Sequence, residues 1–600
     1  MHVMSFAAPE RSGTSMRHLV VLTACSLAAA PALLVSPVAT AADKPTPSFN
    51  STVGPILYQH CASCHREGGS MPAITLDSYE SAKAASSAIR EQIMTRKMPP
   101  WFADSKQSLP MRNDMSLSDT QIAALASWAD GGAPRGTGTE PPRPQFTQHW
   151  AHPLNRPPDR IISLPRVRLP ASGELPYVRQ LIRVTEPQDR WIVGLQTLPG
   201  NPAVVHHMGI TEVTLAEGVT PENMSQLDAV ARQLGMPAGS MTSPHPSVAD
   251  PGDPNLYDML AIYTPGTTYE SYGKTTGKLL RAGGNEYINF NIHYTTTGKI
   301  EQDQSNLGLW FAARAPEHQL LRAPMAGHTI IANGREILTD DAGTKAEGTE
   351  VAIPPIPAYT EDYELVGLTA LTYPVTIYAL QPHAHLRAKS FRYVAVLPDG
   401  TERTLLWVPQ YDFHWQLRYE LLHPLRLPAG SKLIVTARYD NSEHNSHLLK
   451  AAAEDPSRRC GPDKIVLFRD QNQTWDEMFS PVVEYALDRP SKAGEAAAAA
   501  RMQLVAATGC LAHKPDSGWL LTGIGRFATT ATQSSSSTER ATLLSLPGGH
   551  LSAHLVGEQP FQLQQHVGQR VAAKGLLIQD PRGTRLNITS LQTLEGTCGQ

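Results

Sequence analysis

Two hydrophobic periods divide this chain. Between residues 42 and 136 apolar positions recur at helical spacing. The segment 53–60 is one candidate helix and 119–130 another, carrying Ile122, Leu125, Ala126 and Trp128. Ser118, with Gln121 three residues on, predicts a capping box at the start of the second helix, and Gly131-Gly132 its stop. From residue 145 to 490 the pattern changes to short apolar runs, such as 191–195, 287–294 and 433–439, set between Pro and Gly signals. These predict strands. Residues 503–600 follow the same rule on a smaller scale, with strands predicted at 503–507, 518–524, 570–578 and 586–591.

Composition adds limits. A chain of 600 residues is too long for one core, and its 49 prolines favour β-rich modules and loops over long helices. Gly/Pro/Thr-rich residues 131–144 and Ala-rich residues 491–500 read as linkers. The net charge of −4 comes with no basic stripe, so nucleic acid is not an expected partner. At the N-terminus, Met16-Arg17-His18, the apolar run 19–35 and Ala39-Thr40-Ala41 predict a signal peptide over 1–41. Leu22-Thr23-Ala24-Cys25 also resembles a lipobox, and anchoring through Cys25 is the alternative. No other run approaches the ~20 apolar residues of a membrane span, so the expected location is periplasmic or secreted.

Six cysteines are present. Cys25 leaves with the signal peptide, and Cys61 and Cys64 belong to the motif Cys61-Ala62-Ser63-Cys64-His65. Cys510 and Cys598 bracket the last module and are the expected disulfide of an oxidising compartment, with Cys460 unpaired. The C-x-x-C-H spacing is that of covalent haem c: two thiols add to the vinyl groups and the adjacent His65 ligates iron. No βαβ pattern surrounds it to favour a redox dithiol. Met71, Met94, Met98, Met111 and Met115 could supply a second axial ligand. Met98 is preferred, because Lys97-Met98-Pro99-Pro100-Trp101 makes a rigid turn, whereas Met94 is expected to pack within its helix.

The β region holds dispersed metal-ligand types: Val205-His206-His207-Met208, Asn291-Ile292-His293-Tyr294, Gln381-Pro382-His383-Ala384-His385 and Trp475-Asp476-Glu477-Met478. On a strand, His383 and His385 share a face. Adjacent His206 and His207 reach one ion only where the strand bulges or twists. Taken singly, a strand histidine such as His293 is a satisfied half-buried side chain and Met478 is core. His149, His152, His245, His328, His414, His423, His444 and His447 read as surface or loop residues, with His444 and His447 at most an adventitious metal pair.

In this order the four motifs resemble the copper type II, ascorbate-dependent monooxygenases, the family of peptidylglycine hydroxylating and dopamine beta-monooxygenase, over roughly residues 160–490. Arg387, Phe391-Arg392-Tyr393 and Tyr439-Asp440-Asn441-Ser442 look like stretches of bacterial relatives fused to a cytochrome. The resemblance implies two copper ions on two β-sandwich halves. His206, His207 and His293 would hold the electron-transfer ion, and His383, His385 and Met478 the catalytic, dioxygen-binding one. Imidazole suits both copper oxidation states, and a thioether favours the reduced one. The family hydroxylates C–H bonds with O2, one oxygen atom passing to substrate and one to water. Gln381, Ser480 and Val482 stand where the peptide-amidating enzyme binds a carboxylate, so a C-terminal glycine peptide is a poor substrate expectation.

The expected architecture is therefore multidomain. It comprises a signal peptide (1–41), a small all-α c-type cytochrome module (42–136), a linker (137–160), two jelly-roll-like β-sandwich copper domains (161–315 and 316–490), a second linker (491–502) and a small β-barrel-like, OB-like module (503–600). The expected function is a copper-dependent monooxygenase carrying one haem c and two coppers. O2, an organic substrate and an external single-electron donor, ascorbate-like or a redox protein, would be its partners. A non-enzymatic haem/copper electron-transfer or copper-handling protein is the alternative.

Overall fold

The computed structural model describes residues 47–146, 150, 154, 156–173, 175, 177–215, 218–222, 259–265, 269–283, 285–345, 349–454, 460–468, 474–487 and 502–598. The expected signal peptide with Cys25, the histidines His149, His152 and His245, and the second linker up to residue 501 lie outside the described residues.

The N-terminal module is helical. A π-helical turn, Phe49–Val53, runs into the helix Gly54–His60; helices Tyr79–Ala84, Ser86–Met94 and Asp119–Asp130 follow. The Gln121 backbone N–H donates to the Ser118 hydroxyl and the Ser118 N–H to the Gln121 side chain, closing the predicted capping box. The helices bury Phe49, Leu57, Tyr79, Ile93, Leu125 and Trp128 in one core. Met94 departs from expectation: it ends its helix 54% exposed, on the face away from that core.

Residues 131–144 do not form the open tether that their composition predicts. The N–H groups of Phe49 and Asn50 donate to the carbonyls of Pro134 and Arg135, and Tyr58 donates to Glu140 at 3.2 Å. Residues 99–113 go further and join the module to the β region. Trp101 packs edge-on against Tyr419 (4.9 Å between ring centroids), and Met111 is buried in the β core and bridges Leu421. The N–H groups of Asp104, Leu109 and Arg112 donate to the carbonyls of Trp407, Leu405 and Glu420. This loop covers the edge strand Tyr419–Leu427, whose outer backbone groups would otherwise lack partners.

Among the described residues, a nine-stranded sheet forms the spine of the β region. It runs without a break across the boundary expected at 315/316. In the strand His318–Pro324, His318 and Gln319 pair in parallel with Thr276 and Gly277, while Leu320 to Pro324 pair antiparallel with Ser480–Leu487. Two half-sheets have thus fused edge to edge, which satisfies both rows of backbone groups. A four-stranded sheet (Val178–Arg183, Glu286–Tyr294, Val205–Thr214, Met259–Tyr263) covers the first half and shares its core, with Ile192, Ile210, Phe290 and Leu309 among the buried residues. A six-stranded sheet covers the second half around Phe391, Tyr393, Val435 and Tyr485. The junction is pinned by buried Arg322, which donates to both Glu270 and Glu484, and by Arg418, which donates to Glu484 at 2.6 Å.

Residues 504–597 close into a ring of five strands. Leu504–Lys514 pairs with Gly518–Ile524 and with Gln569–Asp580; Leu551–Val556 joins Gly518–Ile524 to Gly583–Thr597. The Leu551–Val556 and Gly583–Thr597 pair is parallel, the others antiparallel, as in an OB-type barrel. Cys510 and Cys598 form the expected disulfide, and Cys460 is buried. The barrel is not merely tethered. Ile331, Val366, Leu368 and Ile434 of the six-stranded sheet share one core with Val505, Leu555, Phe561 and Ile588. The buried Lys432 Nζ donates to the carbonyls of Gly557 (2.7 Å) and Ile588 (2.5 Å) across that junction.

Candidate haem site and histidine seam

The helix Gly54–His60 delivers the haem motif. The Cys61 N–H donates to Leu57, and the N–H groups of Cys64 and His65 both turn back to the Cys61 carbonyl. Cys61 and Cys64 are free, half-buried thiols. His65 Nδ1 lies 3.1 Å from the Ile74 carbonyl, which sets the Nδ1–H tautomer and leaves Nε2 as the nitrogen that would ligate iron. Burial lowers the His65 pKa, which keeps the ring in the neutral form that ligates iron. These residues fit a covalent haem. Met98 is half-buried, directly after the helix Ser86–Met94 and before the anchored Trp101. Met111 packs in the β core, and Met71 and Met94 are exposed.

In the β region the pairing of Val205–Thr214 with Glu286–Tyr294 slips between Val205 and His207. That bulge turns two adjacent histidines toward one side, beside His293 on the neighbouring strand. One ring nitrogen from each of His206, His207 and His293 lies within 4.8 Å of the other two. The Nδ1 atoms of His206 and His293 are 3.2 Å apart. Two nitrogens each about 2.0 Å from one tetrahedral ion lie about 3.3 Å apart, so this spacing suits a shared metal. Burial, then His414, brings His206 down to about 4, and burial holds His207 well below its ordinary range. Both rings are therefore neutral, as metal ligands must be. His206 Nε2 is buried without a hydrogen-bond partner. Tyr177, which no sequence pattern flags, stacks on His293 (4.7 Å) and its hydroxyl meets His207 Nε2 at 3.2 Å.

His383 ends the strand Val375–His383 and His385 lies beyond it, so strand alternation does not hold the pair. The turn is fixed by other groups. The Tyr411 hydroxyl bonds the N–H and carbonyl of Ala384 (3.1 and 2.8 Å). Buried Glu477 accepts the N–H groups of His385 (2.5 Å), Arg387 (3.1 Å) and Met478 (2.9 Å). One carboxylate thus ties the H-x-H turn to the segment carrying Met478, and burial, offset in part by Arg387, pushes it up to about 7. Gln416 Oε1 meets His383 Nδ1 at 2.5 Å, and the Asp476 carbonyl meets His385 Nδ1 at 3.1 Å. A metal would therefore be met through Nε2 of each ring. The His383 and His385 rings stand 5.6 Å apart, and Met478 is buried. Arg387 lies outside the site, donating to Asn441, Trp475 and Cys460. Gln381 donates to the Gln416 carbonyl, and Ser480 pairs opposite His383.

The two histidine groups face one another. The rings of His207 and His383 are 6.3 Å apart, and buried Phe413 packs against both groups, 5.6 Å from His206 and 5.8 Å from His385. Two of the histidines expected at the surface are exposed as expected and lie at the rim of this seam. His414 lies 5.9 Å from His206, and His447 lies 5.2 Å from His414 rather than pairing with His444. A third, His328, is buried and bonded to Thr369. The signal for Phe413 and Gln416 was the aromatic-rich stretch Tyr411-Asp412-Phe413-His414-Trp415-Gln416, whose Tyr411, Phe413 and Gln416 are buried.

The cytochrome c family model matches residues 52–130 and ends there. No curated protein matches the chain. A solved structure of allantoicase is similar at 10% identity and a TM-score of 0.14, covering 45% of this chain and 77% of that one, a likeness that carries no argument. Among the described residues no helix is long and apolar enough to cross a membrane. Residues 52–130 are thus a cytochrome c domain, a haem-based electron-transfer unit that precedes a large β-rich region of several sheets.

Proposed function

We propose that this chain is an exported copper-dependent monooxygenase whose cytochrome domain supplies its electrons. The observation that carries this reading is the convergence of His206, His207 and His293 with His383 and His385 around Phe413, from separate sheets. When bound, haem supplies one-electron transfer and copper supplies activation of O2. The chain's own residues set the geometry. Gln416 and the Asp476 carbonyl orient His383 and His385, Tyr177 orients His207 and His293, and Glu477 holds Met478 to the H-x-H turn. Phe413 excludes water between the two groups. Hydroxylation takes a C–H bond, O2, two electrons and two protons to C–OH and water. The single C-x-x-C-H motif passes one electron at a time, so an external donor must reload it. Cytochrome c domains are typically periplasmic or extracellular, which agrees with the N-terminal pattern.

The test is metal content and oxygen use. Purified haem-loaded protein should hold about two coppers per haem in the seam and consume O2 only with a C–H substrate. His385→Ala or Met478→Ala should abolish hydroxylation and leave haem reduction intact. Bound zinc, or an active His385→Ala variant, would sink the reading. The cytochrome match alone favours a second one, a haem/copper electron-transfer protein that oxygenates nothing. Two seam coppers without substrate-linked O2 uptake would select it.

A further inference from the structure

We propose that Asp412, His414 and His447 form a third metal site, for a divalent copper-like ion, at the solvent mouth of the His206 cluster. One ligand atom from each lies within 4.8 Å of the others. Donors around one ion at about 2.0–2.2 Å stand some 3–4 Å apart, so small side-chain rotations close this set. Two imidazoles and a carboxylate with no thioether suit a divalent ion, and copper binds such N/O sets most tightly of the first-row metals.

The frame is built before any ion arrives. Asp412 and His414 flank buried Phe413, and Tyr411 and Gln416 tie the same loop to Ala384 and His383. Asp412 accepts both the His414 N–H and His414 Nδ1 at 2.9 Å. Against the cost of burial, those bonds hold the Asp412 carboxyl below its ordinary range, so it stays ionised. His447 sits in the first turn of the helix Ser446–Glu454. Asn445 anchors that turn through the carbonyls of Leu386 (3.0 Å) and Asp440 (2.8 Å), and buried Leu448 adds a second anchor. His414 is 48% exposed on its outer side and faces His206 on its inner side. An ion can therefore enter from solvent and come to rest one ring from the buried cluster. The site stands on its own ligands and does not depend on the monooxygenase reading.

The test uses full-length haem-loaded protein, stripped by chelation and titrated with copper(II) sulfate, with ions counted by mass spectrometry and Cu(II) followed by EPR. Removing the buried site with His206→Ala/His293→Ala isolates the proposed one. In that background, adding His414→Ala/His447→Ala should cost one further ion per chain and one nitrogen-ligated Cu(II) signal, with the haem Soret band unchanged. Asp412→Asn should weaken the same ion tenfold or more. An unchanged ion count on adding His414→Ala/His447→Ala overturns the proposal. So does an ion that already vanishes with His206 and His293, because His414 would then ligate the buried centre. Absence of copper from the His206 cluster of the wild-type protein would instead count against the proposed function, since the third ion is scored in a background that lacks that cluster.

Discussion

The haem motif and the histidine seam both converge ligands on a small volume, but over very different spans of chain. Cys61, Cys64 and His65 fall within five consecutive positions, and one helical turn brings them together. His206, His293 and His385 span 180 positions and come together only because a bulge, a fused nine-stranded sheet and one buried carboxylate place them. A local site is insensitive to distant packing. A dispersed one inherits every weakness of the scaffold between its parts.

The sharpest way to separate the two is Cys64→Ala. Covalent haem should be lost almost completely, seen as loss of haem staining in denaturing gels, while metal binding at His206, His207 and His293 persists. Parallel loss of that metal would break the comparison by showing that the seam needs the haem to form.

The joint between the regions is next. Trp101→Ala empties a buried aromatic site against Tyr419 and should cost about 3–5 kcal/mol of docking and fold stability. Limited proteolysis should then cut near residues 99–113 while the haem stays attached. Resistance to cleavage would mean that the backbone bonds to Leu405, Trp407 and Glu420 hold the module alone.

Glu477→Ala probes the seam itself. It strips an acceptor from three buried N–H groups and should cost about 2–4 kcal/mol, read as a lower denaturation midpoint. It should also weaken copper binding at the proposed His383, His385 and Met478 site before that at the proposed His206 site. Simultaneous loss of both would show the two groups to be one cooperative centre.

The remaining test concerns Lys432. Burial lowers its pKa from 10.5 to about 7, so the folded chain gives up this proton near neutrality and the unfolded chain keeps it to about 10.5. The unfolded state therefore binds more protons between those values. The contribution to stability should rise with pH from about 7 to 10.5 and be lost as pH falls through 7. Unfolding midpoints followed across pH 7–9.5 should show that slope, and Lys432→Met should flatten it. A slope unchanged in the variant would assign it to other groups.

Residue types and spacing alone determined the local features. The helix Asp119–Asp130 with its capping box, the strand Gly518–Ile524, the Cys510–Cys598 disulfide and the C-x-x-C-H motif depend on neighbours in sequence or on the pairing of two cysteines. The sequence also marked His206, His207, His293, His383, His385 and Met478 as ligand types. Tertiary structure alone decided that the five histidines face one another, that Glu477, Gln416, Tyr177 and Phe413 hold them, and that His414 and His447 join them. It decided as well that residues 99–113 lock the cytochrome domain to the sheet edge, and that residues 131–144, read as a linker, pack back on the helices. The physical reason is that burial, register and edge pairing are properties of where distant strands meet, and no periodicity within a single strand encodes which edge it will find.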